Sequence, residues 1–176
     1  MNYITTKLSY KDKKILDKIY EELEKIRLST SYCSEGTQGH HHAMKLGVTS
    51  QRDARQAIFG LTTYRGKKQI SKYSKIYPHI MQLFQEFINS HQPDFNFQSV
   101  YVNRNTVAKK HLDSKNTGES LLVGVGKFTG GETVLYTSNI EEKFNIQTHS
   151  LIFNGSEIEH SSKGFEGTRY SLVFFN

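Results

Sequence analysis

Apolar residues recur at helical spacing in the first half of the chain. Over Lys11–Arg27, Ile and Leu fall at intervals of three and four, while Lys and Glu fill the other face. Ser9 and Asp12 stand where a capping box would begin this helix. A second helix is predicted from Pro78, because proline suits the first helical turn. The segment Gln51–Phe59 is predicted as a short third helix.

From Phe95 onward the pattern changes to short β-rich runs separated by turns. Gly130-Gly131 and Asn154-Gly155 are turn dipeptides of the hairpin type. Many short strands after a helical lead-in predict an α+β fold, with a double-stranded β-helix (jelly-roll) core and N-terminal flanking helices. We expect one domain over 1–176, with a helical flank over 1–94 and the jelly-roll core over 95–176. The predicted strands are 97–102, 107–112, 120–126, 132–136, 143–146, 150–154, 157–160 and 168–175.

Composition narrows the class of protein. No run approaches the ~20 apolar residues of a membrane-spanning helix, so no membrane partner is expected. The start, Met1–Lys7, lacks the apolar run of a secretory signal. Cys33 is the single cysteine, which excludes an intrachain disulfide and a zinc site built on cysteines. We therefore expect a soluble intracellular protein, cytoplasmic or nuclear.

The net charge of +6 is unevenly spread along the chain. Through Lys115 there are 19 Lys and Arg against 10 Asp and Glu, and from Asn116 there are 4 against 7. A basic first half suggests a polyanionic partner, most obviously nucleic acid. The alternative is an ordinary solvated basic surface, so charge alone does not decide.

The candidate chemistry begins at His111 and Asp113. Two residues apart on a predicted strand, their side chains would point to the same face. A site of two histidines and one carboxylate holds non-haem Fe(II) in oxygenases, and His160 lies 49 residues downstream. The pair alone is a weak signal, because His-x-Asp also arises by chance. The alternative is a histidine bonded to a carboxylate in a barrel that no longer binds metal.

A second pair lies at the start of the last predicted strand. Arg169 and Ser171 again share a face, and a guanidinium can hold a carboxylate through two parallel hydrogen bonds. A ligand that chelates a metal at one end and carries a carboxylate at the other would satisfy both sites. The alternative for Arg169 is a structural salt bridge to Glu166 or Glu132.

Together, His-x-Asp, the distal His and Arg-x-Ser resemble the 2-oxoglutarate/Fe(II)-dependent oxygenases over roughly residues 95–176. Within that superfamily the chain is most similar to the TET/JBP group of nucleobase hydroxylases. The chain is far shorter than TET enzymes and lacks their Cys-rich zinc-binding region. The points of likeness are the Asn-x-Asn that precedes His111 and the runs 113–118, 128–132 and 165–173.

The resemblance implies Fe(II), 2-oxoglutarate and O2, with hydroxylation of a substrate and release of succinate and CO2. It implies that iron is bound by His111, Asp113 and His160, and that Arg169 and Ser171 hold the distal carboxylate of 2-oxoglutarate. Asn103 corresponds to the Asn of an Asn-x-Tyr pair that touches the cosubstrate in the related DNA-repair dealkylases. In this chain Asn105 replaces the tyrosine.

Candidate substrate contacts are basic residues in the first half: Arg52, Arg55, Arg65, Lys67 and Lys68. From Tyr64 to Lys75, cations alternate with aromatic residues, which suits a phosphate backbone with stacked bases and equally suits a solvated loop. His40–His42 lie in a segment rich in Ser, Thr and Gly, and consecutive residues cannot all face one ion. We interpret them as an exposed loop near the mouth of the site.

Three hypotheses follow for function. The leading one is a dioxygenase that hydroxylates a base in DNA or RNA, with a TET/JBP-like preference for pyrimidines such as a 5-methyl group. The second is the same chemistry on a protein side chain or free small molecule. The third is a basic nucleic-acid-binding barrel that no longer catalyses. Oligomeric state stays unassigned by the sequence.

Overall fold

A computed structural model describes residues 2–30, 54–113 and 117–176. Its helices and strands, in chain order, are β1 (Tyr3–Lys7), α1 (Tyr10–Lys25), β2 (Ser29–Thr30), β3 (Arg55–Tyr64), β4 (Lys67–Ile70), α2 (Lys72–Ile76), α3 (Pro78–His91), β5 (Ser99–Arg104), β6 (Ser120–Gly130), β7 (Thr133–Thr137), β8 (Ile140–Phe144), β9 (His149–Phe153), β10 (Glu159–Ser162) and β11 (Phe165–Phe175). None of the helices in these ranges is long and apolar enough to cross a membrane.

The strands form two antiparallel sheets. The large sheet has the order β1-β9-β6-β11-β5-β3-β2, with β4 paired to the far part of β3, and the small sheet has the order β10-β7-β8. The central pair is β6 with β11, in register from Phe165 against Gly130 to Phe174 against Leu121. This arrangement confirms the predicted α+β jelly-roll fold.

Helices α1 and α3 cover one face of the large sheet. Because side chains alternate along a strand, Val102 and Leu172 point to the helices, whereas their neighbours point to the small sheet. A second apolar cluster, which includes Leu122 and Leu135, fills the space between the sheets. Burial of each large apolar side chain contributes about 1.5–3 kcal/mol. The helix-facing cluster is the main core. The opposite face of the large sheet, called the inner face, also carries buried polar residues, among them Asn103, Arg169 and Ser171.

A buried polar network joins α1, α3 and β9. Ser9 and Asp12 form the predicted capping box, each side chain bonded to the other's backbone N–H. The Asp12 carboxylate also accepts a hydrogen bond from Ser90 at 2.7 Å and lies 2.8 Å from Nδ1 of His91. Nε2 of His91 lies 2.7 Å from the Ser150 hydroxyl. Every polar atom of this network therefore has a partner inside the fold.

The first 94 residues are not purely a helical flank, because they supply β1 to β4. The helix predicted over Gln51–Phe59 is wrong where the structure describes it, since Arg55 opens β3. Ala57 and Phe59 are buried at period two against the helices, and a short apolar run does not distinguish the two periodicities. Residues 51–53 lie outside the described residues.

The strand predicted over Val107–Leu112 is also wrong. The backbone of Ala108 bonds to Ser162, and the backbone of His111 bonds to His160. Between these two pairs the chain advances three residues on the 107–112 segment but only two on β10. This extra residue interrupts the ladder, as in a β-bulge. The other seven predicted strands each overlap an observed strand, with shifted ends.

Replacement of Asp12 by Ala is expected to lower the free energy of unfolding by about 2–3 kcal/mol at neutral pH, because it removes a cap and leaves buried donors unpaired. Burial raises the pKa of Asp12, but hydrogen bonds from Ser9, Ser90 and His91 lower it more, to below its ordinary value. The stabilisation is thus present above about pH 4 and is lost as the pH falls through the lowered pKa.

Urea unfolding across pH measures this loss of stability, with replacement of the exposed Asp17 by Ala on the same helix as control. Equal stabilities of the two variants would contradict the role of the network.

Candidate metal centre and anion site

His111, Asp113 and His160 converge at one point of the barrel. Oδ1 of Asp113 lies 3.4 Å from Nε2 of His111 and 3.5 Å from Nε2 of His160. The available ligand atoms of the three side chains all lie within 4.8 Å of one another. The histidine side chains are 14% and 12% exposed and the carboxylate is 30% exposed, so all three are partly buried.

The backbone of β10 places this cluster. His111 and His160 exchange two backbone hydrogen bonds of 3.0 Å, and the N–H of Asp113 donates to the Gly155 carbonyl at 2.8 Å. A Cβ on Gly155 would overlap the Asp113 carboxylate and lie 3.1 Å from Cε1 of His160. Gly155 is therefore required for space at the cluster, a role that its turn dipeptide did not reveal.

The ring nitrogens facing away from the cluster are already bonded. Nδ1 of His160 lies 2.8 Å from the Ile158 carbonyl, and Nδ1 of His111 contacts the Lys109 carbonyl. A carbonyl accepts only, so each Nδ1 carries a proton, and Nε2 is the atom of each ring that faces Asp113. When both Nε2 atoms are deprotonated, they and the carboxylate offer three ligand atoms to one cation, and this donor set suits non-haem iron.

The same proximity sets the charge of the carboxylate. Burial raises the pKa of Asp113, but hydrogen bonds from His111 and His160 outweigh it and hold the pKa well below its ordinary value. Burial lowers the pKa of His111, and its bonds to Asp113 and Lys109 raise it more. The centre therefore holds an ionised carboxylate at neutral pH, as a cation site requires.

Arg169 on β11 is a buried cation whose side-chain hydrogen bonds to the described residues all go to backbone carbonyls. Its side chain donates to the Gly131 carbonyl from Nη2 at 3.0 Å and from Nε at 3.3 Å, and to Thr106 from Nη1 at 3.5 Å. The residue is 2% exposed, and burial lowers its pKa to about 10, against a smaller opposing effect of Glu132. It is still charged at neutral pH.

No carboxylate of the described residues lies within 4.0 Å of the Arg169 guanidinium, so neither Glu132 nor Glu166 forms the alternative salt bridge. A buried charge without a counter-ion is costly, by several kcal/mol in effective terms. The arrangement therefore fits a ligand that brings its own negative charge to this place.

Ser171 and Asn103 lie beside Arg169 on the inner face. Ser171 is the register partner of Asn103, whose Nδ2 donates to its hydroxyl at 3.4 Å. The Oδ1 of Asn103 accepts from Nε2 of Gln56 at 3.3 Å. Sequence analysis missed Gln56, because its inward direction is evident only once β3 is known to be a strand.

Two further residues hold Arg169 in place. Asn105 has a positive φ of 53°, its Oδ1 accepts from the Arg169 N–H at 2.8 Å, and its own N–H donates to the Arg169 carbonyl at 2.7 Å. Gly131, at φ 70°, would place a Cβ 2.6 Å from Arg169 Nε. Asn105, which stands at the tyrosine position of the dealkylase pattern, therefore fixes the backbone of Arg169.

The predicted substrate contacts are not gathered at this site. Arg55 is the register partner of Arg104 and lies on the face of β3 that carries Ala57 towards the helices. Arg65, Lys67 and Lys68 lie on the β3–β4 hairpin. This hairpin extends past Gly60, whereas Arg169 lies near the other end of the large sheet. Arg52 and His40–His42 lie outside the described residues.

Comparison with known proteins gives the fold. No protein-family model and no curated protein matches the chain. Among solved structures, a 2OG-Fe(II) oxygenase family oxidoreductase from Burkholderia pseudomallei has a TM-score of 0.61 at 16% identity, over 99% of this chain and 84% of that one. NgTET1 in complex with 5mC DNA has a TM-score of 0.61 at 16% identity, over 99% and 71%. A Pseudomonas putida prolyl-4-hydroxylase has a TM-score of 0.58 at 10% identity, over 99% and 93%. The chain thus shares the fold of these proteins.

Replacement of His111 or His160 by Ala is expected to weaken binding of Fe(II) or Mn²⁺ by about 100-fold or more, since even loss of an outer partner of a metal ligand costs 10–100-fold. Anaerobic calorimetric titration measures the dissociation constant. His79→Ala is the matched control, because His79 is half-exposed on α3 beside Glu22. Wild-type affinity in the His111 variant would exclude this metal centre.

Proposed function

We propose that this protein is a 2-oxoglutarate- and Fe(II)-dependent dioxygenase that hydroxylates a nucleobase. His111, Asp113 and His160 would hold the iron, and Arg169 with Ser171 would bind the distal carboxylate of 2-oxoglutarate. The observation that carries the proposal is the pairing, in one jelly-roll barrel, of a His-Asp-His cluster that could hold a metal ion with a buried guanidinium that has no carboxylate within 4.0 Å among the described residues. The fold shared with a 2OG-Fe(II) oxygenase supports it.

Bound Fe(II) would supply the oxidation: one oxygen atom of O2 enters succinate, formed with CO2 from 2-oxoglutarate, and the other enters the substrate as a hydroxyl. The chain's own residues orient the reactants. The Gly131 carbonyl holds the Nε edge of the Arg169 guanidinium, so the remaining N–H donors of Nη1 and Nη2 would face the carboxylate, and Ser171 adds a hydroxyl. Asn103, held by Gln56, directs its Nδ2 to the same place.

Burial makes the Arg169 contact strong. In a site of low dielectric a charge-assisted hydrogen bond is stronger than in water, because solvent screens it less. The Phe128 ring, 5.7 Å from the guanidinium carbon, keeps one side of the charge dry. The site is therefore organised for a carboxylate before the ligand arrives.

Replacement of Arg169 by Ala is expected to raise the dissociation constant of 2-oxoglutarate by about 100-fold or more, because charge-assisted hydrogen bonds each contribute about 1.5–3 kcal/mol. Arg169→Lys keeps the charge and most of the volume but lacks the fork, so we expect about a tenfold loss. Calorimetric titration with the Mn²⁺-loaded protein measures both.

The matched control is Arg104→Lys. Arg104 lies on the neighbouring strand but faces the helices, where it bonds Glu24 and Tyr170. Its variant is expected to bind 2-oxoglutarate as the wild type does. If Arg169→Lys and Arg104→Lys bind the cosubstrate equally well, Arg169 is not the carboxylate site.

Three observations support a nucleobase, and a pyrimidine in particular, as the substrate. The chain carries a net charge of +6, concentrated before residue 116. Its closing motifs resemble the TET/JBP group, and its fold is shared with NgTET1, whose structure holds 5mC DNA. An enzyme that oxidises a base needs the base out of its stack, and a partly exposed centre suits an extruded or unpaired base.

A protein side chain is the alternative substrate, because the fold is also shared with a prolyl-4-hydroxylase. A free small molecule would use the same chemistry. The buried Arg169, which has no carboxylate within 4.0 Å in the part of the chain that the structure describes, disfavours a barrel that only binds nucleic acid, since such a barrel gains nothing from that costly charge.

Succinate release with Fe(II) and 2-oxoglutarate is expected to rise when DNA or RNA that contains pyrimidines is added. Mass spectrometry of the digested nucleosides should then show one added oxygen, for example on a 5-methyl group. Peptides and free nucleosides serve as parallel substrates, and Asp113→Ala is the inactive control. Added oxygen on peptides, with none on nucleosides, would contradict a nucleobase substrate and indicate that the protein hydroxylates a protein side chain.

A further inference from the structure

One exposed element has no part in the site described above: the β3–β4 hairpin with α2, over residues 61–76. We call it the hairpin surface. The register of β3 with β5 runs from Arg55 against Arg104 to Gly60 against Ser99, and the hairpin continues beyond Gly60. Arg169 pairs near the opposite end of the same sheet. The hairpin surface is therefore separate from the candidate metal centre.

The hairpin surface carries positive charge that is not neutralised nearby. It holds five cations, and no Asp or Glu occurs between Tyr64 and Tyr77. In the described part of the chain, none of the five has a carboxylate within 4.0 Å. Clustered cations without counter-charges attract a polyanion. The cations are Arg65, Lys67, Lys68, Lys72 and Lys75.

Large apolar side chains are exposed on the same surface. Tyr64 is 57%, Ile70 54% and Ile76 61% exposed, which makes three of the seven large exposed hydrophobics among the described residues. Tyr64 and Lys67 are register partners, so their side chains share one face of the two-stranded ribbon. The Arg65 guanidinium lies 5.3 Å from the centroid of the Tyr64 ring. An aromatic ring is thus flanked by two cations.

We propose that the hairpin surface is a docking site for a single-stranded nucleic acid, held by its phosphates on the cations and by a base stacked on Tyr64. This inference rests on the proposed function and extends it. Proteins that bind single strands combine a positive track with aromatic stacking platforms in this way. A duplex keeps its base faces stacked inside, so it would leave the ring and the exposed isoleucines without partners.

The position of the surface defines the kind of substrate. Tyr64 lies eight residues along β3 from Gln56, which contacts Asn103 at the anion site. At about 3.3 Å per strand residue, the path is about 26 Å long. One nucleotide cannot span it, whereas a strand of several nucleotides can. The surface therefore favours a polynucleotide over a free nucleoside as the substrate.

Fluorescence anisotropy of a labelled oligothymidylate with the full chain tests this. Tyr64→Ala is expected to weaken binding about tenfold, as expected for loss of one stacked base. The Lys67→Gln/Lys68→Gln variant is expected to weaken binding and to reduce the slope of log K against log salt by about 0.7 for each lost phosphate contact.

The matched controls are Tyr10→Ala and Lys14→Gln on α1. Tyr10 is 76% exposed and the Lys14 ammonium lies 4.7 Å from its ring centroid, so the pair reproduces an exposed tyrosine beside a cation elsewhere on the molecule. Both controls should bind the oligonucleotide as the wild type does. Circular dichroism and thermal unfolding verify that the hairpin variants fold.

Three results would overturn the docking surface: no binding by the wild type, wild-type affinity in the hairpin variants, or equal losses in the α1 controls. Vesicles that contain phosphatidylserine form a second arm, and hairpin-dependent binding to vesicles without such binding to DNA would also overturn it. Succinate release is measured in parallel. Hairpin-dependent binding without oxidation would refute the proposed function and leave the surface intact.

Discussion

The register of β11 between β5 and β6 is the constraint on which the rest of the structure depends. It sends Tyr170, Leu172 and Phe174 to the helix-facing core, and it sends Arg169 and Ser171 to the inner face. A slip of one residue would exchange the two sets and place a guanidinium in the apolar core. Burial of the large side chains under α1 and α3 therefore also fixes the position of the anion site.

Glycines on the neighbouring strand β6 also shape the inner face of the large sheet. Arg169 and Ser171 stand opposite Gly126 and Gly124 of β6, so that strand has no side chain directly across from them, and its Phe128 ring lies against the guanidinium. The barrel holds two groups suited to ligands: a His-Asp-His cluster whose ligand atoms lie within 4.8 Å of one another, and a buried guanidinium with no carboxylate within 4.0 Å among the described residues. A fold retains such costly groups where a ligand satisfies them, and a metal chelator with a distal carboxylate would satisfy both.

The parts that sequence reasoning predicted well depend on local spacing. The α1 helix with its capping box, α3, and most strands after residue 95 follow from periodicity and turn residues. His111 and Asp113 were selected as a pair on a regular strand, yet their segment is an interrupted ladder. They meet His160 because His111 pairs with it through the backbone. His111 and Asp113 thus reach His160 through this backbone bridge and not through the alternation of a regular strand.

The missed parts depend on contacts distant in sequence. Gln56, Asn105 and Gly155 carry no local signal, since each acts through a partner between 42 and 64 positions away: Asn103, Arg169 and Asp113.

By itself the sequence determined the residue types for metal and carboxylate chemistry, the basic first half and the order of most elements, because these depend on composition and spacing. Only the tertiary structure decided that β3 is a strand, that Arg169 has no carboxylate partner among the described residues, and that the basic hairpin lies away from the metal centre. The physical reason is that burial and register belong to the assembled sheet, whose neighbouring strands are far apart in the chain.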